Sequence, residues 1–297
     1  MHYLEQSIAR IAECKWAGHG HKLHNHGENL NQTIRRVMPK ADWIIVNWSM
    51  IRPRKNDIIF PEKRACKIAL ITSDIHNAPP RTVRTWNAGK WNAFLMIASN
   101  KYYIDKLNAP IFLLGHTINP EFFKPLDQPK KYDVSFLGAA DSFYILRRHI
   151  VRELPTLAKQ NNWKLLLKGR PPDRSISGAL KKGRIVGYKY AEALALSKIF
   201  IFGEIRTRCA VKKYFEGMAS RTCVLANTPI TAEEFHFRPD WNFVEIGKNN
   251  WKEKLKYYLK HDEERETIAQ RGYETIMKYH TNHIRSRQLL DFLEKYK

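Results

Sequence analysis

Short apolar runs alternate with amphipathic segments along the whole chain, and polar or proline-bearing turns separate them. The runs of the first half are WIIV, KIALIT, FLMIA and IFLL. After a polar interruption the second half repeats the pattern with DVSFL, WKLLLK, IFIF and CVLA. Continuous apolar runs of this length are typical of strands buried on both faces of a parallel sheet. The pattern therefore predicts an α/β fold in which each half of the chain builds a parallel sheet.

The interruption between the halves is a polar run with three prolines, from Asn119 to Lys131. Proline lacks a backbone donor and does not continue a helix or a central strand, so this run is typical of a linker. At 297 residues the chain is long enough for two domains. We expect an N-terminal domain at residues 1–125 and a C-terminal domain at residues 126–297.

The charge of the chain is unusual, because 51 basic residues stand against 29 acidic ones and give a formal net charge of +22. A surplus of this size attracts polyanions. The basic residues are spread through both halves, which argues against a simple basic tethering tail. Phosphorylated donor substrates, DNA and anionic membranes all stay open as partners.

No stretch of the sequence predicts a membrane span. The N-terminal residues include acidic side chains and lack the apolar core of a signal peptide. The most apolar run, Ala191 to Phe202, is short and contains Lys198. The four cysteines show no C-x-x-C pairing, which favours buried thiols in a reducing compartment. We therefore expect a cytoplasmic protein, with a peripheral position at a membrane left open.

Four histidines, His19, His21, His24 and His26, lie close together in the sequence GHGHKLHNHG. Imidazoles at such spacing can ligate zinc or nickel. No cysteine or acidic ligand completes the set, and the flanking glycines favour a polar loop. The metal site and the polar loop both stay open as interpretations.

The KIALIT run ends directly in Ser-Asp-Ile-His, which places Asp74 and His76 at the carboxyl end of a predicted strand. Ligands gather at this end of the strands in open α/β sheets. Asp74 could act as a general base, with His76 as its partner or as a group that positions the acceptor. The alternative is a turn carboxylate that caps the next segment.

A loop is predicted at residues 78–90, where Arg81, Arg84 and Trp86 follow two prolines. Aromatic side chains interleaved with arginines can stack on a base or a sugar ring and contact phosphate. A solvated loop is the alternative interpretation.

The segment from Lys212 to Phe235 predicts a helix that begins with two lysines and carries Glu216, followed by a short buried strand and an acidic turn. A carboxylate near a helix N-terminus, with cations beside it, suits a ribose hydroxyl pair and a diphosphate. In the alternative interpretation Glu216 is only a favourable charge in the first turn of the helix.

The second half, residues 133–297, resembles the CgeB-like group of GT-B glycosyltransferases. The resemblance is carried, in the order of the family, by DVSFLGAA, LLLKGR, GRIVGYKY, ALSKIFIFGE, KYFEGMASRTCVLANTP and ERETIAQRGYETIMKYHTNHIRSRQLL. The first half is similar only through ITSDIH and INPEFFKP. The resemblance implies two Rossmann-like domains with parallel sheets that face a central cleft. It also implies a C-terminal helix that crosses back to the first domain.

The same resemblance implies that the C-terminal domain binds a nucleotide-sugar donor. Carried over by position, Gly138 lies against the phosphates, and the diphosphate, base and ribose contacts come from other residues of that domain. These residues are Lys168, Arg170, Tyr188, Arg206, Lys213 and Glu216. The chain departs from related enzymes at Arg208, where they often carry a glutamate, so a retaining mechanism does not follow from the resemblance.

A metal-independent transfer is the expected mechanism, because the sequence has no D-x-D pair and is rich in lysine and arginine at predicted strand ends. No cofactor is expected, and the expected donor substrate is a UDP-sugar. The acceptor stays open between a surface or envelope glycan and a modified base in DNA. The alternative function is that of a catalytically inactive GT-B-fold protein that binds nucleic acid.

Overall fold

The computed structural model divides the chain into two compact units. Unit 1 contains Met1–Gly115 together with Asn282–Lys297, and unit 2 contains His116–Thr281. The residues that the structure describes are 2–17, 21–25, 27–47, 65–72, 80–97, 104–142, 144–171, 176–203 and 208–297. No helix among these residues is both long enough and apolar enough to cross a bilayer.

The helices and strands of the described residues alternate as the apolar pattern predicts. The strands are β1 (Trp43–Asn47), β2 (Lys67–Thr72), β3 (Ala93–Met96), β4 (Ile111–Leu113), β5 (Tyr132–Leu137), β6 (Leu165–Lys168), β7 (Ser197–Ile201), β8 (Cys223–Ala226) and β9 (Val244–Glu245). The helices are α1 (His2–Ile8), α2 (Leu30–Val37), α3 (Pro80–Ala88), α4 (Ile145–Gln160), α5 (Ile176–Lys181), α6 (Tyr188–Ala195), α7 (Lys212–Ala219), α8 (Trp251–Lys260), α9 (Asp262–Tyr279) and α10 (Asn282–Lys295).

Unit 1 is built on a parallel sheet with the strand order β1-β2-β3-β4. On one face, Leu30 and Ile34 of α2 and Trp86 of α3 belong to a buried cluster with side chains of β1, β2 and β3. On the other face, α1 and α10 pack against the sheet through Leu4 and Leu289. Helices cover both faces, so the central strands can be apolar throughout their length.

The helix α3 corrects the prediction of a loop at residues 78–90. Proline suits the first position of a helix because its missing N–H would be unpaired there and its φ is already helical. Val83 and Trp86, three residues apart, lie on one face of this helix and are 5% and 1% exposed. Trp86 therefore belongs to the core, and the interpretation that it stacks on a ligand is wrong. Arg84 is exposed to solvent.

The polar run between the halves is also more structured than a linker. The backbone N–H of Ile118 donates to the carbonyl of His280 at 2.9 Å, and Phe123 is 6% exposed. Residues 116–125 accordingly belong to unit 2, whereas the predicted division after residue 125 assigned them to the first domain.

The last helix, α10, belongs to unit 1, as the predicted return to the first domain requires. Arg285 fixes the start of this helix on the end of β4. Its Nε donates to the carbonyl of Leu114 at 2.9 Å, and its guanidinium lies 5.0 Å from the ring centre of Phe112. The C-terminal residues therefore complete unit 1, because Arg285 supplies donors to the carbonyls at this end of the sheet.

Unit 2 is built on a five-stranded parallel sheet with the order β6-β5-β7-β8-β9. The first strand of the unit, β5, lies between the second and the third. This is the strand order of a doubly wound α/β sheet, in which the direction of winding reverses between β5 and β7. Ligands of such sheets bind at the carboxyl ends of the strands beside this reversal. The α/β class and the two Rossmann-like domains are confirmed.

A close approach between helices in unit 2 gives a test of this packing. A Cβ atom on Gly272 of α9 would lie 2.8 Å from the backbone oxygen of Asn242 and 3.1 Å from Cγ of Met218. We expect Gly272→Ala to lower the free energy of unfolding by about 1–2 kcal/mol, because overpacking outweighs the gain of about 1 kcal/mol in helix propensity. Urea denaturation measures the change. Lys278→Ala, at an exposed position of the same helix, should change it by less than about 0.5 kcal/mol. Equal effects of the two substitutions would contradict the packing.

Candidate functional site

The turn after β5 lies beside the reversal of the unit 2 sheet. Gly138 follows the last residue of β5 and has a φ of 129°, a conformation that favours glycine. Its N–H donates to the carbonyl of Lys168, at the end of β6, at 2.9 Å. A Cβ atom at this position would lie 2.6 Å from Nζ of Lys213. The positive φ is therefore the main reason for glycine here, and its missing side chain also leaves room for the end of Lys213.

Two cationic side chains converge on this turn. Arg147, in the first turn of α4, is 3% exposed and donates from Nε to the carbonyl of Gly203 at 2.5 Å. The carbonyl of Ala139 accepts a second bond from its Nη1 at 3.4 Å, and its guanidinium lies 4.0 Å from the ring centre of Tyr144. Lys213, in the first turn of α7, donates to the carbonyl of Leu137. Backbone carbonyls that follow or end β5 and β7 thus hold both cations in place.

Among the described residues, acidic groups act on this pair without forming an ion pair with it, Glu216 on Lys213 and Asp141 on Arg147. Within the part of the chain that the structure describes, no carboxylate forms an ion pair with Arg147 or Lys213. Burial lowers the pKa of Lys213 to about 7, the charge of Arg147 lowers it further, and Glu216 acts in the opposite direction. Burial also lowers the pKa of Arg147. A buried cation without a counterion is costly, so this site is suited to an anion, which the N-termini of α4 and α7 would also favour.

Glu216 is the acidic residue of the same site. It lies in the second turn of α7 and is 6% exposed. Its Oε2 accepts a hydrogen bond from the hydroxyl of Tyr190 at 2.9 Å, and its Oε1 lies 3.1 Å from Nζ of Lys212. A carboxylate accepts about four hydrogen bonds, so both oxygens can each accept another from a ligand hydroxyl. The alternative of a simple first-turn charge does not describe a buried side chain fixed by two partners.

Tyr190 keeps its proton in this arrangement. Burial, followed by the charge of Glu216 and the hydrogen bond to it, raises the pKa of Tyr190 well above its ordinary value. The hydroxyl therefore stays a donor to Glu216 across the physiological range. Lys213 lies 5.7 Å from the centre of the Tyr190 ring, so Tyr190 connects the carboxylate to the cation pair.

Aromatic side chains border the carboxylate. Phe123 lies 6.3 Å from Tyr190 between ring centres, and Lys212 lies 5.8 Å from the centre of the Phe123 ring. Next to it, Phe122 packs on Tyr188 at 4.5 Å. Tyr188 is 74% exposed, which leaves one face of this pair open to a planar ligand. His116 packs on Phe215 of α7, and burial and then the charge of Lys212 lower its pKa to about 3.

The structure brings Gly138, Lys213 and Glu216 together, as the sequence predicts for a ligand site. Lys168 and Arg170 are exposed at the end of β6, beside the turn at Gly138. Tyr188 begins α6 and borders the site through Phe122. These assignments stay predictions until a ligand is bound.

Several predicted residues lie outside the described residues: Asp74, His76, Arg206, His19 and His26. His21 and His24 are described, and no group of three metal-ligating side chains occurs among the residues with described structure. The question of a metal at the histidine loop therefore stays a prediction.

The sequence interpretation missed Arg147 and Tyr190. Arg147 is followed by Arg148, and nothing in the pair RR shows that the first side chain is buried while the second is exposed. A signal was present, because Arg147 falls in the first turn of a helix that follows a strand and a glycine turn. Tyr190 gave no such signal, since tyrosines at helical spacing are ordinary core residues.

One protein family matches more than half of the chain, mainly its second half. A family model described as glycosyl transferase-like matches residues 122–291. Comparison with curated proteins gives no match.

Solved structures with similar folds include sucrose-phosphate synthase from Thermosynechococcus elongatus, at 14% identity and a TM-score of 0.60, covering 86% of this chain and 73% of that one. HepE of Anabaena in complex with UDP-glucose has 10% identity and a TM-score of 0.59, and the match covers 89% of this chain and 80% of HepE. TarM of S. aureus, in a complex that includes UDP, has 12% identity and a TM-score of 0.57, covering 80% of this chain and 55% of TarM. The chain therefore spans about half the length of TarM. At these identities the likeness shows the fold, which is GT-B.

The lowered pKa of Lys213 makes the stability of unit 2 depend on pH. Between about 7 and its ordinary value of 10.5, the unfolded chain holds a proton on Lys213 that the folded chain has lost. Stability should therefore rise with pH in this window, by at most about 1.4 kcal/mol per pH unit. Lys213→Met should remove this rise in urea denaturation at a series of pH values. Lys212→Met, at the exposed neighbouring position, should keep it, and a rise that survives in Lys213→Met would contradict the assignment.

Proposed function

The chain belongs to the glycosyl transferase-like family and is a glycosyltransferase of the GT-B type; on this premise we propose that it transfers a sugar from a UDP-sugar donor without a metal ion. The observation that carries the proposal is the pair of cations, Arg147 and Lys213, that meet at the carboxyl ends of β5 and β7 without an acidic partner among the described residues. A nucleoside diphosphate supplies the negative charge that this pair lacks.

In the proposed reaction the bond between the anomeric carbon and the β-phosphate oxygen breaks, and an acceptor oxygen forms the new bond to that carbon. Negative charge then develops on the diphosphate that leaves. Cations fixed in advance stabilise such charge without reorganisation, which is the task that a divalent ion performs elsewhere. Arg147 and Lys213 are held by backbone carbonyls, so they satisfy this condition. Metal independence is proposed on this ground.

Glu216 binds the ribose hydroxyls in this proposal. Its carboxylate is buried and oriented by Tyr190 and Lys212, yet each oxygen retains a free lone pair. Tyr188, open on one face, is assigned to the base or the sugar. Lys168, Arg170 and Arg206 complete the donor contacts.

UDP is the proposed nucleotide because HepE and TarM, which have the same fold, have been solved in complexes with UDP-glucose and with UDP. A hexose is the proposed sugar. Asp74 is the proposed general base and His76 its partner, on the segment that follows β2. Assignment to the CgeB-like group is part of the same proposal and is supported by the six sequence blocks.

The acceptor is proposed to be a surface or envelope glycan, with a modified base in DNA as the second possibility that the net charge of +22 allows. Both would place a polyanion, the membrane or the DNA strand, near the basic surface. Release of UDP from a panel of UDP-sugars, with and without each acceptor class, tests the reaction. Salt-dependent DNA binding without release of UDP from any donor would instead favour the inactive nucleic-acid-binding alternative.

The cation pair makes a specific prediction for nucleotide binding. Arg147→Met should weaken UDP binding at least tenfold, because it removes a buried charge that faces the diphosphate, and should weaken uridine binding much less. Isothermal titration calorimetry measures both ligands. Arg148→Met is the matched control, since the adjacent arginine is exposed and should leave UDP affinity unchanged. Equal losses in the two variants, or equal losses for UDP and uridine, would contradict the diphosphate assignment.

The carboxylate makes an independent prediction for the ribose. Wild-type protein should bind UDP about tenfold or more tightly than its 2′-deoxy analogue, because a hydrogen bond to a charged group contributes about 1.5–3 kcal/mol. Glu216→Gln should reduce this discrimination to less than about threefold while both nucleotides keep their diphosphate contacts. Glu192→Gln, at an exposed position on α6, is the control. Should Glu216→Gln discriminate as well as the wild type does, Glu216 does not bind the ribose.

A further inference from the structure

Unit 1 contains a cavity that plays no part in the donor site described above. Its volume is about 650 Å³, and it lies along β1 between α1, α2 and α10. Binding sites for small molecules measure about 300–1,000 Å³, so this cavity is large enough for one ligand. The lining residues that the structure describes all belong to unit 1.

The interior of the cavity is apolar. Aliphatic side chains from four elements and the turns next to them line it: Ile8, Ala12, Ile34, Met38, Ile45 and Leu290. β1 is the outermost strand of the described sheet, and Ile45 at its centre is 39% exposed. Water in such a space gains few hydrogen bonds, so an apolar group would replace it favourably at about 25 cal/mol per Å² of buried surface.

Among the aspartates, glutamates, lysines and arginines that line the cavity, most are acidic. Six carboxylates contribute to the lining: Glu5, Glu13, Glu28, Asp42, Asp291 and Glu294. Glu13, Asp42, Asp291 and Glu294 are both lining residues and exposed to solvent, and these four define the acidic opening. Lys15 is the one lysine or arginine among the described residues of the lining.

Ion pairs neutralise only part of this acidic group. Arg36 pairs with Glu28 at 2.7 Å, and Lys297 lies 3.1 Å from Asp42 and 3.9 Å from Glu294. The described residues at the opening therefore carry a net negative charge in a chain whose net charge is +22. A ligand whose polar end carries a negative charge would be repelled at this opening.

We propose that unit 1 binds an amphiphile whose apolar chain fills this cavity and whose polar end, uncharged or positively charged, lies at the acidic opening. The binding itself does not depend on the donor site. That the amphiphile is the sugar acceptor, through a hydroxyl or amine of its polar end, rests on the proposed glycosyl transfer. This acceptor chemistry differs from that of a DNA strand or an anionic phospholipid.

Three amphiphiles with the same alkyl chain and different ends test the proposal: dodecyl glucoside, dodecylammonium and dodecanoate. Each is titrated into the full-length protein below its micelle concentration, with binding measured by calorimetry. We expect the glucoside and the ammonium compound to bind and dodecanoate to bind at least tenfold more weakly. No binding of any of the three, or tightest binding of dodecanoate, would overturn the proposal.

A pair of substitutions locates the binding. Ile45→Trp fills the cavity and should weaken binding of the glucoside at least tenfold. Leu180→Trp is the matched control, since Leu180 is 40% exposed, belongs to unit 2 and is not among the residues that line the cavity. If thermal melting shows that Ile45→Trp does not fold, Ala12→Phe takes its place. Equal affinities of the cavity variant and the control would overturn the site.

Charge reversal at the opening tests the second part of the proposal, that the acidic residues select the charge of the amphiphile's polar end. Glu13→Lys, at an exposed position, should raise the affinity for dodecanoate relative to dodecylammonium, and an unchanged ratio would overturn the role of the acidic opening. The same samples are titrated with UDP. If the wild type does not bind UDP, only the donor proposal is overturned. If it binds UDP but none of the amphiphiles, only the proposal for the cavity of unit 1 is overturned.

Discussion

The chemistry of unit 2 depends on two cations that lie next to each other without a carboxylate partner among the described residues. Burial of an unpaired charge costs several kcal/mol, and the proximity of Arg147 and Lys213 adds repulsion. The carbonyls that follow β5 and β7 offset part of this cost, and the lowered pKa of Lys213 shows that part of it remains. An anion that binds between the cations removes the rest. The folded protein is therefore preorganised for a negatively charged ligand before it binds one.

The strand order of unit 2 explains why these groups meet. β5 and β7 are neighbours in the sheet although α4, β6, α5 and α6 separate them in the sequence. The winding direction reverses between them, so the helices that follow the two strands leave on opposite faces and open a space at the carboxyl edge. α4 supplies Arg147 to this space and α7 supplies Lys213 and Glu216. The ribose and diphosphate contacts are thus a consequence of topology.

The sequence allowed the strands to be predicted more accurately than the site. β2 and β8 have the predicted bounds, because continuous apolar runs specify strands buried on both faces. The helix α3 was missed, since two prolines and two arginines suggested a loop, and only the packing of Val83 and Trp86 shows why a helix forms there. The sequence could not show that Arg147 is buried and Arg148 exposed. That difference depends on carbonyls that follow β5 and β7, which are far apart in the sequence.

Glu216 was predictable for a different reason. It follows two lysines at the start of a predicted helix and stands between apolar residues, and a carboxylate that is buried there needs partners. The sequence could not show that Tyr190, on another helix, is one of them. Pairwise contacts between helices of a doubly wound sheet depend on the crossover geometry, which a single sequence does not specify.

The net charge of +22 is a poor guide to the ligands of either unit. In unit 2 the functionally important charge is a pair of partly or fully buried cations, which the excess of exposed lysines and arginines does not reveal. In unit 1 the opening of the apolar cavity is acidic, opposite in sign to the chain as a whole. Electrostatic forces between exposed groups decay within about 10 Å at ordinary salt concentration, so each site responds to its own neighbours. A basic surface therefore does not require a polyanionic acceptor, and the local charge around each cavity is the better basis for choosing the molecules to test.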